Sequence, residues 1–204
     1  MAKAASKRRK KIEFLDRYQL GETYLVPPDA RSGRAGILEG FSPAGDEVIV
    51  REWRRKAGDE DLVEIWKHEL RQLYRLAGYP GASELICQVA AAGFDKDSYY
   101  IVLSPSQRRP LKVFLESTSS RAAWLRGLSQ PQNRIRIWKN VLCIVDGIGI
   151  LHKEGIVHRN LDEWAILTSA GDEPDFQLTG FEWSLRLSST TDKKLDDLLG
   201  DSGV

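Results

Sequence analysis

The sequence predicts an α+β fold, with strands gathered in its first half and helix dominating its second. Three segments carry this. Glu47-Val-Ile-Val-Arg-Glu-Trp53 reads as a strand by its β-branched content. Glu60 to Leu76 places Leu62, Ile65, Trp66, Leu73 and Leu76 on one helical stripe. Arg134 to His152 repeats Ile135, Trp138, Leu142, Val145, Ile148 and Leu151 at helical spacing. At 204 residues the chain has enough apolar content for one compact domain or two small lobes.

Residues 1–17 hold Lys3, Lys7, Arg8, Arg9, Lys10 and Lys11, with no acid between positions 3 and 11. Such a run is expected to be a solvated, disordered tail, with contact to nucleic acid as the alternative. Arg31-Ser-Gly-Arg-Ala-Gly-Ile-Leu38 follows as a glycine-bearing loop, two strands before Arg51. On the Glu47–Trp53 strand, Ile49 and Arg51 share a face by the two-residue period.

The next helix carries an unusual residue. Glu69 falls on the apolar stripe, four residues after Ile65 and four before Leu73. An ionised carboxylate facing a core is costly unless a cation meets it, and Arg51 is the candidate. The alternative is that Glu69 lies at the stripe's margin and reaches water. Ser98-Tyr-Tyr-Ile-Val-Leu-Ser-Pro105 reads as a strand running into a hinge, and Leu111 to Leu115 as the start of a helix. Residues 188–204 are polar apart from a Leu195 to Leu199 patch, and are expected to be loose or to fold on a partner.

Charge is nearly balanced, with 30 Lys and Arg against 29 Asp and Glu, so no global field argues for nucleic acid. Cys87 and Cys143 are too few and too isolated for a disulfide framework or a zinc site; Cys143 reads as a buried thiol. His68, His152 and His158 lack metal-ligand spacing. No Ser sits in a nucleophile elbow, which argues against a Ser/His/Asp hydrolase. With no signal peptide and no bilayer-length apolar run, a cytoplasmic setting is expected. Among six tryptophans, Trp66 and Trp138 fit core stripes, while Trp164 and Trp183 lie near the motifs that follow.

Gly155-Ile-Val-His-Arg-Asn-Leu-Asp-Glu-Trp-Ala-Ile-Leu167 resembles the catalytic loop of the protein kinase superfamily, H-R-D-L-x-x-x-N. His158 and Arg159 match. Asn160 stands where the family has the Asp that takes the substrate's proton, and Ala165 where it has the Asn that holds magnesium. Phe176-Gln-Leu-Thr-Gly-Phe-Glu-Trp-Ser184 resembles the strand ending in D-F-G: Phe181 matches, Gly180 replaces the metal-binding Asp, and Glu182 replaces the Gly. The Glu47–Trp53 strand resembles V-A-I-K, with Arg51 at the Lys position and Ile49, at the Ala position, narrowing the pocket. Glu69 then matches the helix Glu that pairs with that Lys. The 31–38 loop is similar to G-x-G-x-x-G-x-V, with Gly33 and Gly36 matching and Arg31 replacing the first Gly.

The resemblance runs from Tyr18 to Leu187 and implies a two-lobed protein-kinase-like fold. Residues 18–104 would form an N-lobe of antiparallel sheet plus one helix, and 105–187 a partial, mainly helical C-lobe. Tails at 1–17 and 188–204 would flank them. It further implies a pseudokinase with no catalytic residues: Arg51, Glu69, Asn160, Ala165 and Gly180 occupy degenerate positions. Arg51, Glu69, His158, Arg159 and Phe181 would remain as structural motif. No metal is expected. Asp162, Glu163 and Glu182 are the nearest substitute carboxylates. Nucleotide, if bound, would be ATP without metal, at Gly33, Gly36 and Arg51, with Arg31 and Arg34 as further phosphate contacts.

The implied role is a scaffold or regulatory protein-interaction subunit. A divergent Ser/Thr kinase or nucleotide-binding transferase, and a basic-tailed nucleic-acid adaptor, are the alternatives. The chain after Gly180 is too short for the family's remaining helices, as in a domain cut from a longer protein or a minimal lobe completed by something else. The face of the 134–151 helix is therefore expected to meet a protein partner or a second copy, with no membrane involved.

Overall fold

A computed structural model describes residues 10–11, 18–29, 33–55, 60–104 and 106–187. Arg31, most of the basic N-terminal segment and residues 188–204 lie outside the described residues. The fold is α+β. Six strands form one antiparallel sheet: β1 (Lys10–Lys11), β2 (Gln19–Val26), β3 (Gly36–Phe41), β4 (Glu47–Arg54), β5 (Val89–Phe94) and β6 (Ser98–Leu103), in the order β1-β2-β3-β4-β6-β5. Lys10 and Lys11, read from sequence as part of a tail, pair with Leu20 and Gln19 of β2.

Alternation along β4 sorts its side chains to two faces. Val48 and Val50 join Leu20, Tyr100 and Val102 in a small outer cluster. Ile49 and Trp53 turn to the other side and enter the main core, and Arg51 shares their face. Helix α1 (Glu60–Ala77) packs there, burying Leu62, Trp66, Leu73 and Leu76. Trp66 stacks on Tyr99 and donates its Nε1–H to the Tyr100 carbonyl at 3.1 Å. Glu69 lies on the buried stripe and is 0% exposed.

The remainder is helical with short strand pairs. After α2 (Ala82–Leu85), β7 (Arg109–Pro110), α3 (Leu111–Glu116) and α4 (Ala123–Arg126) comes α5 (Pro131–Lys153). Pro131 opens α5, where its missing N–H has no helical partner to lose. Beyond α5 lie β8 (Ile156–Val157), β9 (Ile166–Thr168), β10 (Gln177–Leu178) and β11 (Leu185–Arg186). Strands β9 and β10 form a hairpin with β7 on the outer side of β9, and β11 pairs with β8. One core runs from Ile49 and Leu73 through Ile150 and Leu151 to Leu178 and Phe181.

Helix α5 corrects the sequence reading. Most of its expected core stripe faces outward: Ile135, Leu142 and Val145 are exposed, and Trp138, expected in the core, is 67% exposed, while Leu151 at the end of the stripe is buried. The buried face instead carries Asn140, Gly147, Ile150 and Leu151. Because α5 is apolar on most sides, periodicity alone does not choose the inward face. Two residues do. The Asn140 side-chain Oδ1 accepts the N–H groups of Asp175 and Phe176, at 2.9 and 3.2 Å. Gly147 admits Leu178 so closely that a Cβ there would lie 2.9 Å from its Cδ1. Cys143, expected to be buried, is half-buried on the flank between the two faces. Among the described residues no helix is long and apolar enough to cross a membrane.

Candidate functional site

Three segments converge beneath the sheet. Strand β4 supplies Arg51, α1 supplies Glu69, and the chain leaving β10 supplies Thr179, Gly180, Phe181 and Glu182. Arg51 Nη2 lies 2.8 Å from Glu182 Oε2 and 3.1 Å from Glu69 Oε2, and Nη1 donates to Thr179 Oγ1 at 3.2 Å. All three charged side chains are buried. The sequence pattern brings out the Arg51–Glu69 approach, but Glu182 is the stronger partner. Arg51 gives Glu182 a true hydrogen bond, whereas neither Glu69 oxygen has a partner in hydrogen-bond geometry.

Two carboxylates around one guanidinium leave an excess negative charge if both ionise. Burial pushes the Glu69 carboxyl up to about 8; Arg51 opposes the shift and Glu182 adds to it. Glu69 therefore tends to hold a proton, which leaves Arg51 and Glu182 as a neutral pair. Burial alone would lower the Arg51 pKa, but the two acids outweigh it and raise it, so the guanidinium stays charged.

The small residues around this cluster fit its large one. Gly180 adopts a φ of 79°, and a Cβ on it would lie 3.3 Å from the Ala165 Cβ and 3.5 Å from Arg51 Nη1. The guanidinium takes the room that side chains at 165 and 180 would need. His158 and Phe181 back the cluster, with ring centroids 4.9 Å apart. Burial, opposed by the Thr179 carbonyl, lowers the His158 pKa. The neutral ring donates Nε2–H to that carbonyl at 2.9 Å, and its Nδ1 accepts the Asn160 N–H at 3.3 Å. Arg159 is exposed, with a φ of 65°. His68 of α1 reaches Ser184 O at 2.8 Å, so α1 holds the 181–184 turn at a second point.

Each substitute carboxylate already has work. Asp162 Oδ1 accepts the Trp164 and Ala165 N–H groups, both at 2.9 Å. Glu163 pairs with Lys112 at 3.3 Å, and Glu182 with Arg51. The loop glycines serve packing. A Cβ on Gly33 would lie 2.8 Å from Ile65 Cδ1, one on Gly36 would enter the Tyr24 ring, and the Gly33 carbonyl accepts Trp53 Nε1–H at 3.1 Å. Strand β3 follows this loop, and Arg51 lies on the next strand, β4.

The guanidinium of Arg34 stacks 5.7 Å from the Trp164 ring. With Ile37, Arg51, Asn160 and Gly180 they line a remaining cavity of about 10 Å³. Trp183 instead lies beside Gly33 and is partly exposed.

A second arginine, absent from the sequence reading, bridges β3 and β4 on the same face of the sheet. Arg109 of β7 pairs through Nε with Glu39 of β3 at 2.6 Å and through Nη2 with Glu47 of β4 at 3.0 Å. Glu39 and Glu47 follow Ile37 and precede Ile49 by two residues, so all four share the face that bears Arg51. Two Glu–Arg–Glu bridges thus join this face to the rest of the molecule. No family model matches the chain, and no curated protein matches it.

Proposed function

We propose that the chain is a catalytically inactive, protein-kinase-like module acting as a scaffold or regulatory protein-interaction subunit. One observation carries the reading. At the position resembling the nucleotide-holding lysine, Arg51 is consumed by Glu69 and Glu182, beside a cavity of about 10 Å³. The order of elements supports the kinase-like part: an antiparallel sheet with one helix, then a long helix, a His-Arg loop and a β-hairpin ending at Phe181.

The residues present do not fit a magnesium nucleotide. Ala165 and Gly180 offer no side-chain ligand, and Asn160 has no carboxylate to take a proton. Arg51 differs from lysine in shape and is saturated by acids. Gly33 and Gly36 are packed against side chains, and the cavity beside Arg51 is about 10 Å³, which weighs against metal-free ATP held by Gly33, Gly36 and Arg51. The interaction role is supported by the exposed apolar stripe of α5. The test is thermal shift with ATP or ADP, with and without magnesium, beside a γ-phosphate transfer assay. No shift and no transfer are expected. A saturable, magnesium-dependent nucleotide shift would overturn the reading.

A further inference from the structure

We infer that the exposed stripe of α5 docks a second copy of this chain, the two helices running antiparallel. This names the partner for the interaction role proposed above, and its test is independent of nucleotide. Ile135, Trp138, Leu142 and Val145 are all exposed and recur at helical spacing on one face. Gly149 continues that face, and a Cβ placed on it would meet nothing within 4 Å. The stripe thus presents one large knob, Trp138, and one empty hole, Gly149.

Size and charge both select a second copy over an unrelated surface. A two-fold axis sets equal distances from a common midpoint opposite each other, so the contact is self-complementary. Trp138 and Gly149 share a midpoint, between Cys143 and Ile144, and Leu142 and Val145 share the same one. An antiparallel partner therefore places each Trp138 over the other copy's Gly149. In such a pair the same flank of each helix faces its counterpart. One flank carries Lys139 and Asp146, both exposed, seven residues apart and centred one residue earlier, between Leu142 and Cys143. Each Lys139 then faces the partner's Asp146, twice per dimer. A foreign surface gives no reason for knob, hole and opposite charges to share nearly one centre.

A single helix pair falls at the small end of stable interfaces, so a dissociation constant in the micromolar range is expected. The full chain is followed by sedimentation velocity from about 1 to about 500 µM, a range that brackets this affinity. Wild type should pass from monomer to dimer. Leu142→Glu should weaken association about a hundredfold by burying an unpaired charge. Lys139→Asp should weaken it about tenfold, and Lys139→Asp with Asp146→Lys should restore it, because the swap recreates both pairs. Gly149→Leu should fold normally and lose the dimer. All these positions are exposed or open, so monomer stability is a usable control. A monomer throughout the range overturns the inference, including one in which deleting residues 188–204 newly exposes the stripe to an apolar dye. A dimer that ignores Leu142→Glu, or whose charge reversal is not rescued by the swap, also overturns it.

Discussion

Arg51 hydrogen-bonds Glu182 at 2.8 Å and only approaches Glu69, at 3.1 Å, without hydrogen-bond geometry. The helix carboxylate, which the sequence pattern makes the natural partner, is therefore the weaker member of a buried triad. Losing either acid has different consequences. Glu182→Gln removes the hydrogen-bonded anion and leaves Arg51 to a carboxyl that holds its proton. A loss on the order of 3 kcal/mol is expected in denaturant unfolding. Glu69→Gln removes the excess acid and should cost less than half as much. Equal losses would contradict the asymmetry.

Removing the cation is the more severe change. Arg51→Met leaves two buried carboxyls facing each other, and each must take a proton or unfold the site. Arg51→Met combined with Glu69→Leu and Glu182→Leu should be more stable than Arg51→Met alone, because the orphaned acids are gone. Chemical unfolding of the single and triple variants measures this. Simple additivity of the three changes would mean that the groups do not act as a unit.

The triad shows what was legible in the sequence and what was not. Glu69 stands out because a helical stripe of Leu62, Trp66, Leu73 and Leu76 makes a lone acid conspicuous. Glu182 leaves no such trace: it sits in a non-repeating turn between Phe181 and Trp183, where no periodicity assigns a direction. Arg109 is hidden for the same reason, in a two-residue strand, with its acidic partners Glu39 and Glu47 lying 70 and 62 residues away in sequence. The strand and helix bearing Arg51 and Glu69 are readable from local pattern. The orientation of α5 is not, since Asn140 and Gly147 act through contacts with Phe176 and Leu178 that only the tertiary fold supplies.

Stability should fall as pH rises through neutrality. Glu69 has an ordinary value of 4.5 and is pushed up to about 8 in the fold, so the folded state binds more protons than the unfolded between those values. Its stabilising contribution is complete below 4.5 and is lost by about pH 8. His158 has the opposite sign. Burial lowers its pKa from 6.5, so its contribution is lost as pH falls below that value. Cys87, pushed up to about 12 by burial, adds a second alkaline loss only above the ordinary thiol value of 9. The interval from 6.5 to 8 therefore isolates Glu69. Urea midpoints should decline across it in wild type and stay level in Glu69→Gln. A wild-type midpoint that stays level there would show that Glu69 ionises freely, below that interval.

On the proposed reading, introducing individual residues of the kinase pattern should not create chemistry. Asn160→Asp supplies a carboxylate but no ligand for a metal, and phosphate transfer from ATP is expected to remain at background. Gly180→Asp would add a third acid beside Arg51, on a backbone with a φ of 79° that side chains rarely adopt. Its Cβ would also press on Ala165 at 3.3 Å. A loss of about 1–3 kcal/mol from backbone strain and crowding is expected, seen as a lowered thermal midpoint. Transfer activity in either single variant would require a phosphate site that the packed cluster does not provide.

Two glycines of α5, two residues apart, should respond to the same substitution with opposite signs. Gly147 faces Leu178, and a Cβ there would sit 2.9 Å from its Cδ1, well inside van der Waals contact. Gly147→Ala must displace that buried side chain or shift the helix from the hairpin, and a cost of about 1–3 kcal/mol is expected. Gly149 has nothing within 4 Å of its Cβ position, so Gly149→Ala gains helix propensity without a clash. It should stabilise the monomer by up to about 1 kcal/mol. Thermal unfolding at low protein concentration separates this from self-association, where added bulk at 149 acts the other way. If both alanines destabilise the dilute monomer, Gly149 is not on an open face, and the orientation of α5 would have to be redrawn.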